Sequence, residues 1–478
     1  MKKKILFAAA VLLACAAAVL WLNRPLRMDP PAETLLRAAE GLDEIAIEAS
    51  LDAAKRTLSV KQSLRLRNRT GQRLDAAVLR TWPNAFQSLE TTPCSDYPDG
   101  FSTGALTMAH AEVNSQQMLH RYLDESKTVL SIPVSGGWEA GEWIDLDLRY
   151  TVTLPRAAYR FGVWEDVWAL GNAFAIPAVW EDGAFRMDAY AAVGDPFVSD
   201  CANYTVTVTV PEGYQCAGSG YAEKEGDTYC FVSPAVRDFA LVISSRFETA
   251  QAKQDGVLIT AYGLSRAQAK EMLRYAKQAL AIYADRYGAY PYPSYTVAAV
   301  PFAHEGMEYP QLSMIGAALT ERKMEYAVAH ETAHQWWYAV VGSDGWHQAW
   351  QDEALCEFSL LDYAESVYGA GERSDLEYTR AESAMRVTVP AGAVPGSPLG
   401  DFADMSEYVL LAYHRGLACL CALDRTIPGG LDGFLRDYYQ AYAFGRASRT
   451  DFEQQLFQST GMDLLPLMRD YLDTHLIH

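Results

Sequence analysis

The chain has 478 residues, half of them apolar, 12% aromatic and 21% charged. Such a composition buries sizeable cores in about three domains, or two large ones, and excludes a disordered, collagen-like or disulfide-dependent miniature protein. A formal charge of −20 repels a phosphate backbone over most of the surface and argues against nucleic acid as a partner.

Lys2, Lys3 and Lys4 precede an apolar run from Ile5 to Leu22, which Asn23-Arg24-Pro25 ends. As a helix the run rises ~27 Å, near the lower limit for crossing a ~30 Å hydrocarbon core. The positive flank stays cytoplasmic, which places everything after Leu22 outside. The expectation is a membrane anchor or signal segment over residues 1–23, with Trp21 at the interface and residues 5–22 in the bilayer. A cleaved signal peptide is the rival reading, and Leu12-Leu13-Ala14-Cys15 a weaker lipoprotein one. Export permits disulfides. Cys216 and Cys230 flank a Gly- and Asp-rich stretch that reads as a hairpin and are candidates for a short-loop bridge. Cys94 and Cys201 have no assignable partner. Cys356, Cys419 and Cys421 lie in apolar helical patterns and read as buried thiols.

Residues 24–56 are expected to form a helical linker, partly broken by Gly41. Beyond them the period changes to two. RTLSVKQSLRLRNRT alternates, Ile144, Leu146 and Leu148 share one strand face, and Tyr204 through Val210 repeat the pattern up to Pro211. This describes a mainly antiparallel β domain over 57–245. From 246 to 478 helices dominate: SRAQAKEMLRYAKQALAIYADRYG, MEYAVAHETAHQWWYAV, WQDEALCEFSLLDYAESVYG and SEYVLLAYHRGLACLCALDR. The exception is the short strand from Tyr295 to Val300, which leads into HEGMEYP. An edge strand beside a helical site can hold an extended peptide by main-chain pairing.

The strongest chemical signal is His330-Glu331-Thr332-Ala333-His334. On a helix the two His stand one above the other and can share a Zn²⁺, while Glu331, ~100° round, can reach a water at the metal's open position and act as general base. The alternative is an ordinary buried helix whose two His share a side. Glu353, 19 positions after His334, is embedded in a second helix and completes a His₂Glu set. Glu357, one turn on, can accept from the non-ligating nitrogen of a zinc His; otherwise it is a solvated helix carboxylate. Asp352 points about 100° away from Glu353 and reads as a non-ligand.

At these residues the sequence resembles the M1 family of zinc aminopeptidases, gluzincins with a thermolysin-like catalytic domain. His330 through Trp336 resemble the zinc helix, Glu353 falls at the family spacing for the third ligand, and Gly306-Met307-Glu308-Tyr309 resembles the exopeptidase motif. Tyr287 through Pro293, Tyr413-His414-Arg415-Gly416 and Gly194-Asp195-Pro196-Phe197 extend the likeness. The family motif more often ends in Asn than in Tyr309 and is commonly preceded by Gly rather than Glu305.

The resemblance implies a thermolysin-like, largely helical α+β domain over 246–478 with closing C-terminal helices. It also implies a short bacterial-type member lacking the long helical C-terminal domain of larger ones. One Zn²⁺ per chain is expected on His330, His334 and Glu353, with Glu331 as base and Tyr413 as oxyanion donor. Tyr408 is a further candidate at the same cleft. Glu308 is expected to bind the free ammonium of a peptide, with Gly306, Met307 and Tyr309 as substrate-contacting neighbours. The activity so implied is removal of N-terminal residues from peptides, outside the cytoplasm of a bacterial cell, membrane-bound or secreted if cleaved. An endopeptidase or bifunctional hydrolase on the same scaffold, or a weakly catalytic peptide-binding or sensor subunit, are the alternatives.

Overall fold

The computed structural model describes residues 32–389 and 392–475. The apolar run at residues 5–22 lies outside them. Among the described residues no helix is long and apolar enough to cross a membrane.

A short helix, α1 (Glu33–Ala39), is followed at once by strand β1 (Asp43–Asp52). The linker expected to be helical through residue 56 is therefore corrected. Ile45, Ile47, Ala49 and Leu51 point into the core while Glu44, Ala46, Glu48 and Ser50 face solvent. That is the period of a half-buried strand, and it overrides the good helix propensity of Glu and Ala. With β2 (Thr57–Arg67), β3 (Ala105–Val113), β4 (Trp143–Thr153), β5 (Ala202–Thr209) and β6 (Thr228–Val236), β1 builds a large sheet. Among the described residues its order is Ala222–Glu225, β6, β5, β1, β2, β4, β3, Gln116–Gln117. β1 runs parallel to β5, with Ile45 opposite Tyr204, and antiparallel to β2, with Ile45 opposite Leu64. Smaller sheets, including one of Phe161–Trp164, Val167–Leu170, Gln215–Gly218 and Leu241–Ser244, pack beside it.

The seven cysteines among the described residues are free. Cys216 sits on Gln215–Gly218 and Cys230 on β6, in different sheets, so the bridge expected between them is not made.

The second half is built on β7 (Glu248–Gln254), β8 (Val257–Gly263), β9 (Ser294–Val300), β10 (Gly306–Tyr309) and β11 (Leu312–Gly316), in the order β7-β8-β9-β11-β10. β9 pairs parallel with β8 and β11, whereas β10 is an antiparallel edge. The candidate edge strand of the sequence reading is thus interior and wholly buried; the edge is the next segment, GMEY.

Two helices, α2 (Arg266–Tyr287) and α3 (Glu321–Ala333), cover this sheet, and α4 (Trp350–Tyr368) packs on both of them. The Ser265 hydroxyl caps α2 by accepting from the Gln268 amide, and the chain breaks out at Gly288. α3 is buried from Met324 to Ala333 and α4 from Trp350 to Ala364. A helix buried on every side must satisfy its polar groups internally, and most of the site's geometry follows from that demand. The β half is stapled to this core by Arg237, which donates to the carbonyls of Ser199, Tyr338, Val340 and Gly445.

Candidate metal centre

α3 ends at Ala333, yet His334 keeps helical dihedrals (φ −60°, ψ −14°), so His330 and His334 retain one-turn spacing. Their Nε2 atoms are 3.2 Å apart. α4 returns beside α3 and brings Glu353 Oε2 to 3.3 Å from His330 Nε2 and 3.5 Å from His334 Nε2. Ligand atoms ~2.0–2.1 Å from the centre of a tetrahedron stand about 3.3–3.4 Å from one another, so this triangle has the dimensions of a divalent-cation site. Glu353 Oε2 is buried and has no hydrogen-bond donor. An unpaired carboxylate oxygen in such a place is costly unless it faces a cation. His330, His334 and Glu353 therefore fit a metal ion, and the sequence-predicted set is brought together.

Each imidazole is oriented by a carboxylate from α4. His330 Nδ1 lies 3.0 Å from Glu357 Oε1, and His334 Nδ1 lies 2.7 Å from Asp352 Oδ1. Glu357 accepts in addition from Arg380, which holds its carboxyl well below the usual range despite burial. The Glu357 expectation agrees with this geometry. Asp352, set aside as a non-ligand, is the matching partner of the second His. The available signal was arithmetic: two metal His each need a partner for the remaining ring nitrogen. Arg380, on a separate helical segment, had no local signal.

Glu331 points from α3 toward β10. Burial pushes its carboxyl above the usual range, against the pull of His330 and His334, and its Oε2 is buried without a partner. Its other oxygen lies against Gly306, where any Cβ would overlap it. Only glycine lets the edge strand approach the helix so closely.

Alternation along β10 places Gly306 and Glu308 on the face toward α3 and Met307 and Tyr309 on the opposite face. Glu308 is 4% exposed, its Oε1 is unpaired, and it can reach within 4.8 Å of ligand atoms of both Glu331 and His334. Gly306 and Met307 line the cleft. Tyr309 does not; it is fully buried and hydrogen-bonded to Asn172 of the β half. The expectation that Tyr309 contacts substrate is corrected, because its ring is fully buried against the β half and does not line the cleft.

The cleft has a volume of about 490 Å³. Its lining includes His330, Glu331, Tyr408 and Tyr413 on the catalytic side and Arg160, Gly194 and Asp195 from the β half. Tyr408 and Tyr413 are five residues apart, a spacing that separates side chains on an α-helix. Here the intervening Val409–Arg415 is π-helical, and the wider turn keeps both on one face. The Tyr413 ring stacks on His330 at 5.8 Å with an interplanar angle of 5°, and the Tyr408 hydroxyl donates to Glu353 Oε1 at 3.4 Å. Burial and the nearby Glu353 charge keep both phenols protonated, hence able to donate. Arg160 pairs with Asp195 and contacts Met307 Sδ. Nothing in its local sequence marks it, since it reaches the cleft only when the two halves meet.

Such a constellation can bind a cation at an open position, take a proton at Glu331, offer phenolic donors, and receive a positive group at Glu308. Residues 271–471 match the model of the Peptidase family M1 domain. Aminopeptidase N of Lactobacillus helveticus is 27% identical over 278 residues, 52% of this chain and 33% of that protein. Aminopeptidase N of Lactobacillus delbrueckii subsp. lactis is 22% identical over 407 residues, 76% of this chain and 48% of that protein. The chain thus spans between a third and a half of the length of these curated relatives. In structure it is similar to the M1 zinc metallopeptidase from Deinococcus radiodurans, with a TM-score of 0.65 at 20% identity, covering 91% of this chain and 95% of that one. The domain match assigns residues 271–471 to the peptidase family M1 domain, and the shared fold and the assembled donor set accord with that match.

Proposed function

We propose that the protein is a zinc-dependent aminopeptidase that removes residues from the free N-terminus of peptides. The observation that carries this reading is the tetrahedral-sized triangle of His330, His334 and Glu353, with the buried, unpaired carboxylate of Glu308 beside it. Zinc at that triangle would supply Lewis acidity and lower the pKa of water at its open position.

The chain's own groups do the rest. Glu331, poised by burial to accept and return a proton near neutrality, takes the proton of the attacking water and passes it to the leaving nitrogen. Tyr413, fixed by its stack on His330, donates to the oxygen on which charge develops. Tyr408 shares that wall and already donates to Glu353. Glu308 receives the substrate ammonium and sets a one-residue distance to the scissile bond. Asp352, and Glu357 with Arg380 behind it, keep the imidazoles in the metal-binding tautomer.

Matched peptides with free and N-acetylated termini test the reading. Free peptides should be shortened one residue at a time, and acetylated copies should be nearly inert, because capping deletes a charge-assisted contact of about 1.5–3 kcal/mol. Internal cleavage of the acetylated peptide at a comparable rate would replace this reading with an endopeptidase. Placement on the outer face of a membrane is supported by Lys2–Lys4 ahead of the apolar run at 5–22. Cell fractionation with and without residues 1–23 tests it, and unchanged recovery in the membrane fraction would remove it.

A further inference from the structure

Tyr309 stands where the family pattern more often has Asn, and the structure gives the larger side chain a purpose-built seat. The ring lies in a small apolar cluster shared by both halves of the chain, with Trp82, Val167 and Phe197 on one side and Met307, Leu312 and Met314 on the other. Its hydroxyl donates to Asn172 Oδ1 at 2.7 Å. Asn172 Nδ2 donates to Asp238 Oδ2 at 2.5 Å, and Asp238 accepts in turn from the Phe239 amide at 2.7 Å.

Two backbone features frame this seat. Gly171 lies so close to the Tyr309 hydroxyl that a Cβ would overlap it, and Asn172 adopts a left-handed conformation with φ 54°. On the other side, Gln335, the residue after His334, donates to the Tyr309 carbonyl at 3.2 Å and accepts from the Gln311 amide at 2.8 Å. The end of β10 is thereby held between the metal-binding helix and the β half. Glu308 is the next residue along.

We propose that Tyr309 is a positioning residue: its hydroxyl, seated on Gly171-Asn172, ties the Glu308 strand to the β half and so sets where the substrate ammonium docks. The proposal deepens the aminopeptidase reading and rests on it for the role of Glu308, but the tether itself is measurable without turnover. The conservative variant Tyr309→Phe removes only the hydroxyl. Asn172→Gly removes the acceptor while keeping the left-handed backbone, and the double variant closes the cycle.

In the zinc-loaded full chain, amides 306–309 should exchange with deuterium at least roughly tenfold faster in both variants, while those of 321–333 keep wild-type rates. KM for a free-amine peptide should rise roughly tenfold with kcat within about twofold, and the double variant should be no worse than the worse single one. Unchanged exchange at 306–309 would overturn the tether whatever the kinetics. A lowered melting temperature with unchanged KM would show a merely structural contact and overturn the positioning role. If the wild type itself showed no preference for free over acetylated peptides, the aminopeptidase reading would fail and the docking role with it, while the exchange rates would still decide the tether.

Discussion

The large β sheet and the α3–α4 pair bury their residues by opposite rules. In β2, Leu58, Val60, Leu64 and Leu66 face inward, and the single buried polar residue, Gln62, is satisfied by the Ala175 carbonyl and the Tyr150 hydroxyl. The charged Lys61–Glu48 pair on that sheet stays in water, with both side chains 71% exposed. In α4, by contrast, Gln351, Asp352, Glu353 and Glu357 are all buried together with the apolar residues between them. The sheet follows the hydrophobic effect and tolerates change on its outer face. The helix pair retains buried carboxylates chiefly where an imidazole or a guanidinium matches them, as at Asp352 and Glu357, while Glu331 stays unpaired and Glu353 faces the triangle that fits a cation. Charge count therefore says little about stability here, whereas charge location says much about chemistry.

The sharpest way to break this contrast is Glu331→Gln. It preserves shape and metal but cannot accept a proton, and kcat should fall on the order of 10²–10⁴-fold with zinc retained. Activity within about tenfold of wild type, measured alongside metal content, would mean that some other base operates. Next come the orienting carboxylates. Asp352→Asn and Glu357→Gln should each lower zinc affinity roughly 10–100-fold, read by competition against a chelator. Equal affinity in both would reduce these contacts to ordinary packing. The smallest effect is expected on the sheet, where Lys61→Ala should change stability by less than about 1 kcal/mol and leave activity alone. A larger loss in denaturant unfolding would show that the two regions do not differ as argued.

Much of the site was legible because its key parts are local. His330 and His334 are one turn apart, Glu353 and Glu357 are another such pair, and helical geometry fixes both relations whatever surrounds them. The strands were legible for the same reason wherever one face meets solvent. The expectation failed at β1, where Glu and Ala suggested a helix although every second residue from Ile45 to Leu51 was apolar; sheet pairing with β5 and β2 overrode propensity. It failed again at Tyr309, given a substrate contact by the resemblance of Gly306–Tyr309 to the exopeptidase motif. Its ring is instead buried in the cluster where the two halves meet, hydrogen-bonded to Asn172.

What the chain's own order of residues determined is the set of short-range spacings: the metal-binding turn, the second helix with its carboxylates, and the alternation of the sheet. Each depends on a helical or pleated repeat spanning a few residues. The tertiary structure alone decided which distant groups meet. Arg380 reaches Glu357, Arg160 and Asp195 form a wall of the cleft, Asn172 receives Tyr309, and Arg237 clamps the loop after α3. These contacts join residues separated by 23 to 137 positions. No local period encodes them, because they arise only when the apolar faces of distant segments close on each other and their buried polar groups must find partners.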